Sequence, residues 1–432
     1  MVGIGGIGMS ALAQLYRTRD YVVSGSDREA SPTTTLLESK GITVSIGEDA
    51  ARVPKDIDLL VYSDAVPAGN AERRRARALG IPEQSYFEAV GDISKTRFTI
   101  AIAGSHGKTT TTALLAKILH DAGAAPNAIV GSLVKDFGGS NFLEGKSGGP
   151  MVVEACEYKD HILKLFPSIL VVTNLEWDHT DYFKDFEQLK KTFIQAVQKL
   201  PPNGALVVDA STDVGRELAS FASCRVIDYG EVPAPQKLQL LGAFNVQNAK
   251  AAIAAAKAYR SELPDALLYE SVGKFRGAWR RFEYKGTTKK GSLVYDDYAH
   301  HPTEVATTVR AVREKFPDKK LVVAFHPHLF SRTRDLMEDF AVSFGAADEV
   351  VVAPIYAARE EPIPGVTSEA LAERIALSGT TARAVGDFME AEKLLREHDG
   401  ADTLILTMGA GDIYKVADAL VAPPFALAYT YS

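Results

Sequence analysis

Phe98-Thr99-Ile100-Ala101-Ile102-Ala103-Gly104-Ser105-His106-Gly107-Lys108-Thr109-Thr110 is an apolar run that breaks into a glycine-flanked turn. The first six residues predict a buried strand. Thr110 to Ala122 predicts a helix, with Leu114, Leu115, Ile118 and Leu119 on one face. A turn between a strand and a helix N-terminus is a ready-made anion site, because glycines let backbone N–H groups converge on phosphate oxygens. Lys108 is placed to reach β- and γ-phosphates, and the Thr109 hydroxyl to bind Mg²⁺. The full eight-residue pattern requires glycine at position 102, where Ile102 stands, so the loop is one residue tighter. The bland alternative is a glycine-rich turn that binds nothing.

Outward from this loop the chain alternates strand and helix signals, which imply parallel sheets. Before it, Gly3-Ile4-Gly5-Gly6-Ile7-Gly8 opens a helical stretch. Tyr21 to Ser24 reads as a strand ending at Gly25-Ser26-Asp27, and Asp58 to Tyr62 as another ending at Ser63-Asp64. Only Met1 and Val2 precede the glycines, so the first strand is expected to be very short or trimmed. Gly3-x-Gly5-x-x-Gly8 with Asp27 about 20 residues on also fits a dinucleotide fingerprint. A tight turn with close helix packing is its plain alternative.

After the loop, strands are expected at Met151 to Glu154, Ile169 to Asn174 and Leu206 to Asp209, with a helix at Ala249 to Tyr259. A third segment alternates again. It has strands at Ser292 to Asp297, Leu321 to Phe325, Glu349 to Ala353 and Thr403 to Met408, and helices at Pro302 to Lys315 and Arg334 to Phe344. In a parallel sheet, ligands gather at the carboxyl ends of strands. Glu154 and Glu157, and Asp178, His179 and Asp181, should therefore open on the same edge as the phosphate loop. Carboxylates and a hydroxyl suit Mg²⁺, whereas His179 could instead orient phosphate. Cys156 reads as a packing residue, since no base for it is evident.

The 432 residues suggest about three domains. Hydrophobic residues make up 46% and charged residues 24%, which excludes a disordered chain. Lys+Arg 48 against Asp+Glu 55 gives −7, which excludes an electrostatic nucleic-acid binder. Two cysteines exclude a disulfide scaffold or a multi-cysteine zinc site. No run approaches the ~20 apolar residues of a membrane span, and the start does not read as a secretory signal. A cytoplasmic protein without membrane insertion is expected.

The motifs GIGGIGMSALA, VSGSD, GSHGKTTTT, EACEY, TNLEWDHTDYF, FNVQNAKAAIAA, GAWRRFE, DDYAHHPTE, FHPHLFSRTRDL, IYAAREEPIPGV and MGAGDI follow one order along the whole chain. In that order they resemble the Mur ligase family, ATP-dependent amide-forming enzymes of peptidoglycan precursor synthesis. The resemblance implies a three-domain α/β fold. Residues 1–92 would form a Rossmann-like UDP-binding domain, 93–285 a central P-loop ATPase-like parallel-sheet domain, and 286–432 a Rossmann-like amino-acid-binding domain.

It implies that ATP drives the joining of L-alanine to the carboxylate of UDP-N-acetylmuramate through an acyl phosphate. The alternative is a recycling ligase that joins a murein tripeptide to the same acceptor. Gly5, Gly6 and Ile7 would meet the diphosphate, with Asp27 and Ser63 near the uridine. Gly104, Ser105, His106, Gly107, Lys108, Thr109 and Thr110 would hold ATP. Asn245 and Asn248 would lie near the adenine, and Arg281 and Asp297 on the γ-phosphate and ribose side. Thr109, Glu154 and His179 would hold Mg²⁺. His300, Arg332 and Tyr356 would meet the amino acid. Cys156, Phe244 and Leu329 depart from the family pattern, where an acid, a His and an Arg are usual. Leu329 leaves Arg332 for the amino acid's carboxylate. The preferred amino acid and the oligomeric state are left open. A dehydrogenase would leave the Lys108 loop unexplained, and a non-catalytic UDP-sugar binder would not need Lys108, Glu154 and His179. The tail Pro423 to Ser432 matches nothing in the pattern.

Overall fold

The computed structural model describes residues 1–358 and 360–421, so the tail lies outside the described residues. The chain divides into two compact units: residues 1–176, 187–239 and 246–278, and residues 177–186, 240–245 and 279–432.

The first unit is built on a seven-stranded sheet. Its order is Arg225–Asp228, Ala205–Val208, Ile169–Val172, Thr99–Ala103, Met151–Glu154, Asn127–Val134 and Ser140–Leu143. All neighbours are parallel except the last pair. Thr99–Ala103 lies in the middle and is buried throughout, as an apolar strand covered on both faces must be. The chain leaves it on one side and returns to the other, so its carboxyl end is a switch point of the kind that receives ligands. The helix that follows, Lys108–Asp121, begins two residues earlier than the sequence suggests.

Two smaller parallel pairs precede this sheet: Ser24–Asp27 with Thr43–Ile46, and Leu60–Tyr62 with Glu83–Ser85. Val2 bridges both, to Ser26 and Tyr62, so the expected first strand is reduced to one residue. The strand expected from Tyr21 begins instead at Ser24. Tyr21 and Val22 are exposed, so apolar content misled the placement by three residues.

The helix Ile7–Arg17 is buried from Met9 through Leu15. Its Gln14 donates to Asn141 Oδ1 at 3.1 Å and accepts from Ser140 Oγ at 3.1 Å. Asn141 Nδ2 in turn donates to Ser10 Oγ at 2.9 Å and to the Ile7 carbonyl. This buried polar knot ties the opening helix to the seven-stranded sheet, and every member finds a partner, as burial demands.

The second unit holds a six-stranded sheet. Its order is Glu283–Thr287, Leu293–Asp297, Thr403–Met408, Lys320–Phe325, Glu349–Val352 and Thr381–Ala384. Only the first pair is antiparallel. Leu321, Val323 and Phe325 point into one core with Phe340 and Phe344. Val322 and Ala324 point into another with Ile413 and Val416. The period of two thus fills both faces of the strand. The helix expected from Arg334 to Phe344 is two helices, Phe330–Asp335 and Met337–Ser343, broken at Leu336.

Candidate active site

The phosphate loop needs its glycines for two reasons. Gly104 and Gly107 have φ of +127° and +81°, a region that disfavours L side chains. A Cβ at Gly104 would meet Thr173 Oγ1 at 2.2 Å, and one at Gly107 would meet Asn248 Oδ1 at 2.1 Å. Asn248 therefore packs on the loop itself.

The neighbouring loop is knitted to it. Asn174 accepts from the His106 N–H at 2.9 Å and donates to the His106 carbonyl at 3.0 Å. Ser105 Oγ donates to the Glu176 carbonyl at 2.7 Å, and the Glu176 N–H donates back to Ser105 Oγ at 2.8 Å. Sequence reasoning missed the positioning role of Thr173, Asn174 and Glu176. Their signal was only their place after a buried strand.

Lys108 is folded into its own loop. Its ammonium donates to the carbonyls of Gly104 (2.5 Å) and Ser105 (3.1 Å) and to Glu157 Oε1 at 3.0 Å. Burial opposes its charge, but Glu157 and the nearby Cys156 and Glu154 outweigh that and hold it above the ordinary lysine range. Thr109 Oγ1 donates to Glu154 Oε1 at 3.0 Å. Glu154 Oε2 accepts from the Gly131 N–H at 2.8 Å, and a Cβ at Gly131 would meet that oxygen at 2.4 Å. A hydroxyl and a carboxylate aimed at one point beside a phosphate loop are the hard oxygen donors that a magnesium ion takes. Thr110 is buried in the first turn of the helix. Burial and Glu157 push the Cys156 thiol up to about 12, which suits packing and not nucleophilic attack.

At the opening loop of the same unit, the Gly5 N–H donates to Asp27 Oδ2 at 2.8 Å and the Gly6 N–H to the Gly3 carbonyl at 3.2 Å. Two of the three N–H groups expected to face a diphosphate, those of Gly5 and Gly6, are thus engaged. The first-turn N–H groups of Ile7 and Gly8 remain, at a helix start with no side-chain cap. Ser63 packs under Gly3, where a Cβ would meet its own at 2.9 Å.

In the second unit, residues at the carboxyl ends of the strands converge. His328 stacks on Tyr356 at 5.4 Å, and His300 lies 6.1 Å from His328. Burial pulls His300 down to about 4 despite Glu304, and His328 down to about 3. Arg332 is buried, and its Nε and Nη2 donate to Asp178 Oδ1 at 3.0 and 2.7 Å. Its guanidinium is committed, so meeting an incoming carboxylate requires that pair to open. His179, next to Asp178, has φ of +54° and donates its N–H to Asp178 Oδ1 at 2.6 Å.

Asn245 donates to the Leu241 carbonyl at 2.7 Å, which anchors the start of the helix Ala243–Tyr259. Asp297 is also spoken for: its oxygens accept from Phe282 N–H (2.6 Å) and Ala299 N–H (2.8 Å). Burial raises it to about 6 while Arg281 opposes. The Arg281 guanidinium lies 5.1 Å over the Tyr298 ring. Its neighbour Arg280, not singled out from sequence, is buried against Asp296 at 2.7 Å and the Gly409 and Gly411 carbonyls.

Three family models match in succession: Mur ligase family, catalytic domain, over residues 1–98; Mur ligase middle domain over 102–235; and Mur ligase, glutamate ligase domain over 280–411. The UDP-N-acetylmuramate–L-alanine ligase of Alkaliphilus metalliredigens is 38% identical over 451 aligned residues, 98% of this chain and 96% of that protein. The enzyme of the same name from Salinibacter ruber is 38% identical over 450, covering 98% and 94%. Among solved structures, the UDP-N-acetylmuramate-alanine ligase of Thermotoga maritima superposes with a TM-score of 0.81 at 27% identity, covering 97% of each chain. A murein peptide ligase from Psychrobacter arcticus superposes at 0.70 with 24% identity, covering 98% and 99%, and supports the fold alone. With the phosphate loop, the ordered motifs and these matches together, the chain belongs to the Mur ligase family.

Proposed function

We propose that this protein joins L-alanine to the carboxylate of UDP-N-acetylmuramate at the expense of ATP, in the cytoplasm. The observation that carries this reading is Lys108 and the Thr109–Glu154 pair converging on a phosphate loop, in a chain 38% identical to ligases of that name along nearly its whole length.

The substrate carboxylate attacks the γ-phosphorus of ATP and ADP leaves, which forms an acyl phosphate. The amine then attacks the acyl carbon and phosphate departs. Two anions meet in the first step, so the main task is to neutralise charge. Lys108 leaves Glu157 for the phosphates, and backbone N–H groups of the loop and helix start bind their oxygens. Thr109 and Glu154, with His179, would hold Mg²⁺, which supplies further positive charge at the phosphate oxygens when bound. Arg281 serves the γ-phosphate side. Neutral His300, beside Tyr356 and His328, shapes the amino-acid end. Ile7 and Gly8 take the diphosphate, and Asp27 holds their loop.

The decisive assay measures phosphate release with ATP and UDP-N-acetylmuramate, adding L-alanine, glycine, L-serine or the murein tripeptide in turn. Release only with L-alanine supports the reading. Release only with the tripeptide transfers the protein to the recycling reaction, and release without any amine rejects ligation.

A further inference from the structure

The edge of the seven-stranded sheet opposite the phosphate loop has a character of its own. The loops at the amino ends of its strands, with the adjoining helix ends, carry Lys95, Arg97, Lys146, Lys199, Arg225 and Arg260. Of the acids at this edge, Asp92 pairs with Lys95 at 2.7 Å, Asp121 with Lys117 and Asp265 with Lys257, each at 2.8 Å, which leaves Glu144 and Glu262 against the remaining five cations. This excess of positive charge sits in a chain whose net charge is −7.

The same edge also carries exposed aromatic rings. Among the described residues, every phenylalanine more than a third exposed lies here: Phe98 (45%), Phe166 (45%) and Phe221 (41%). Lys199 and Lys95 lie 4.4 and 5.1 Å from the Phe166 ring centre. Phe98 packs on Tyr259 at 5.2 Å, and the Arg260 guanidinium lies 5.2 Å over Tyr259. Burial and the Lys95 charge both depress the proton affinity of Lys199. Lys95 and Lys199 thus crowd the Phe166 ring, and Arg260 flanks the Tyr259 ring on which Phe98 packs.

We propose that this edge docks on the surface of an anionic phospholipid bilayer. Lysines and arginines that spread apolar stems and charged heads match a negatively charged headgroup layer. Protruding phenylalanines suit the boundary between headgroups and acyl chains. A soluble acidic partner would satisfy the cations but leave three rings without an apolar counterpart. Docking is peripheral: no helix among the described residues is long and apolar enough to cross a membrane. The phosphate loop, at the carboxyl end of the same sheet, faces away from the surface and stays open to its substrates.

The test is sedimentation of the full chain with phosphatidylglycerol–phosphatidylcholine vesicles against phosphatidylcholine alone. Binding to the anionic vesicles only, reversed by high salt, is expected. Lys146→Gln with Arg260→Gln, two changes in loops outside the helices and strands, should weaken it roughly 25-fold, at about a fivefold loss for each surface charge. Phe166→Ser with Phe221→Ser should weaken it while keeping its salt dependence. Phosphate release in vesicle-free solution should stay at the wild-type level in both variants. No binding to anionic vesicles, equal binding to neutral ones, or wild-type binding by both variants overturns the proposal. So does retention on heparin without vesicle binding, which would mark a site for a soluble polyanion.

Discussion

Lys108 Nζ lies 3.0 Å from Glu157 Oε1, so the lysine proposed to reach the γ-phosphate is held by a carboxylate of the next strand's loop. ATP must open this pair before the lysine can serve. Glu157→Gln should therefore tighten nucleotide binding about tenfold, the lower end of what a hydrogen bond to a charged group is worth. Lys108→Ala should abolish ligation with the fold intact. Calorimetric titration with a non-hydrolysable ATP analogue reads the first effect, and unchanged or weaker affinity contradicts the parked-lysine account.

Gly107→Ala combines an unfavourable φ of +81° with a Cβ 2.1 Å from Asn248 Oδ1. The backbone must move, and the N–H groups that converge on phosphate move with it. Loss of nucleotide binding by at least about tenfold is expected, with a cost in stability of about 1–3 kcal/mol. Wild-type affinity in this variant would mean that the loop geometry does not decide binding.

Arg332→Ala strips from Asp178 its ion-pair partner, which is buried with it. An uncompensated buried carboxylate of this kind costs about 3–5 kcal/mol, readable by denaturant unfolding. Burial favours the neutral acid, yet Arg332 first, then His179 and His300, hold the Asp178 carboxyl well below its usual range. Its contribution is thus fully present above about pH 3.9 and lost as pH falls towards the folded-state value. A wild-type unfolding midpoint for Arg332→Ala would refute the role.

His161, His326 and His328 are pulled down to about 4, 4 and 3, in each case chiefly by burial. The unfolded chain takes up these protons from about pH 6.5 downward, whereas the folded chain resists until near pH 4. Stability should therefore be full above pH 6.5 and decline steadily from there to about pH 4. His161, whose ring stacks on Phe87 at 3.9 Å, offers a control. His161→Phe should keep the stacking and flatten part of that slope in melting temperatures measured across the pH series. Equal slopes in the two proteins would exclude the buried imidazole as a cause.

The phosphate loop was legible because its chemistry is local. A strand of small apolar residues, two glycines and a Gly-Lys-Thr run determine a shape whatever surrounds them. Four strands of each large sheet were legible for the same reason, to within two or three residues, whereas Asn127–Val134, Ser140–Leu143, Arg225–Asp228, Glu283–Thr287 and Thr381–Ala384 carry too little apolar contrast and were not read. What sequence could not decide was which of two like neighbours goes inside. Arg280 and Arg281 are equivalent on paper, but left-handed backbone at Arg280 and Phe282 (φ +59° and +47°) turns the first into the core. Leu329, also left-handed at φ +73°, begins the helix that carries Arg332, and no composition rule marks it. Asp178 as the partner of Arg332 was equally hidden, because it lies far back along the chain and only the tertiary fold brings the two near.

The knot of Gln14, Asn141, Ser140 and Ser10 ties the opening glycine loop to the same compact unit as the phosphate loop. Under the proposed function, that unit would act as a ruler: its one set of hydrogen bonds fixes how far a nucleotide end and a carboxylate end lie apart, and an acceptor of another length would fit only by breaking them.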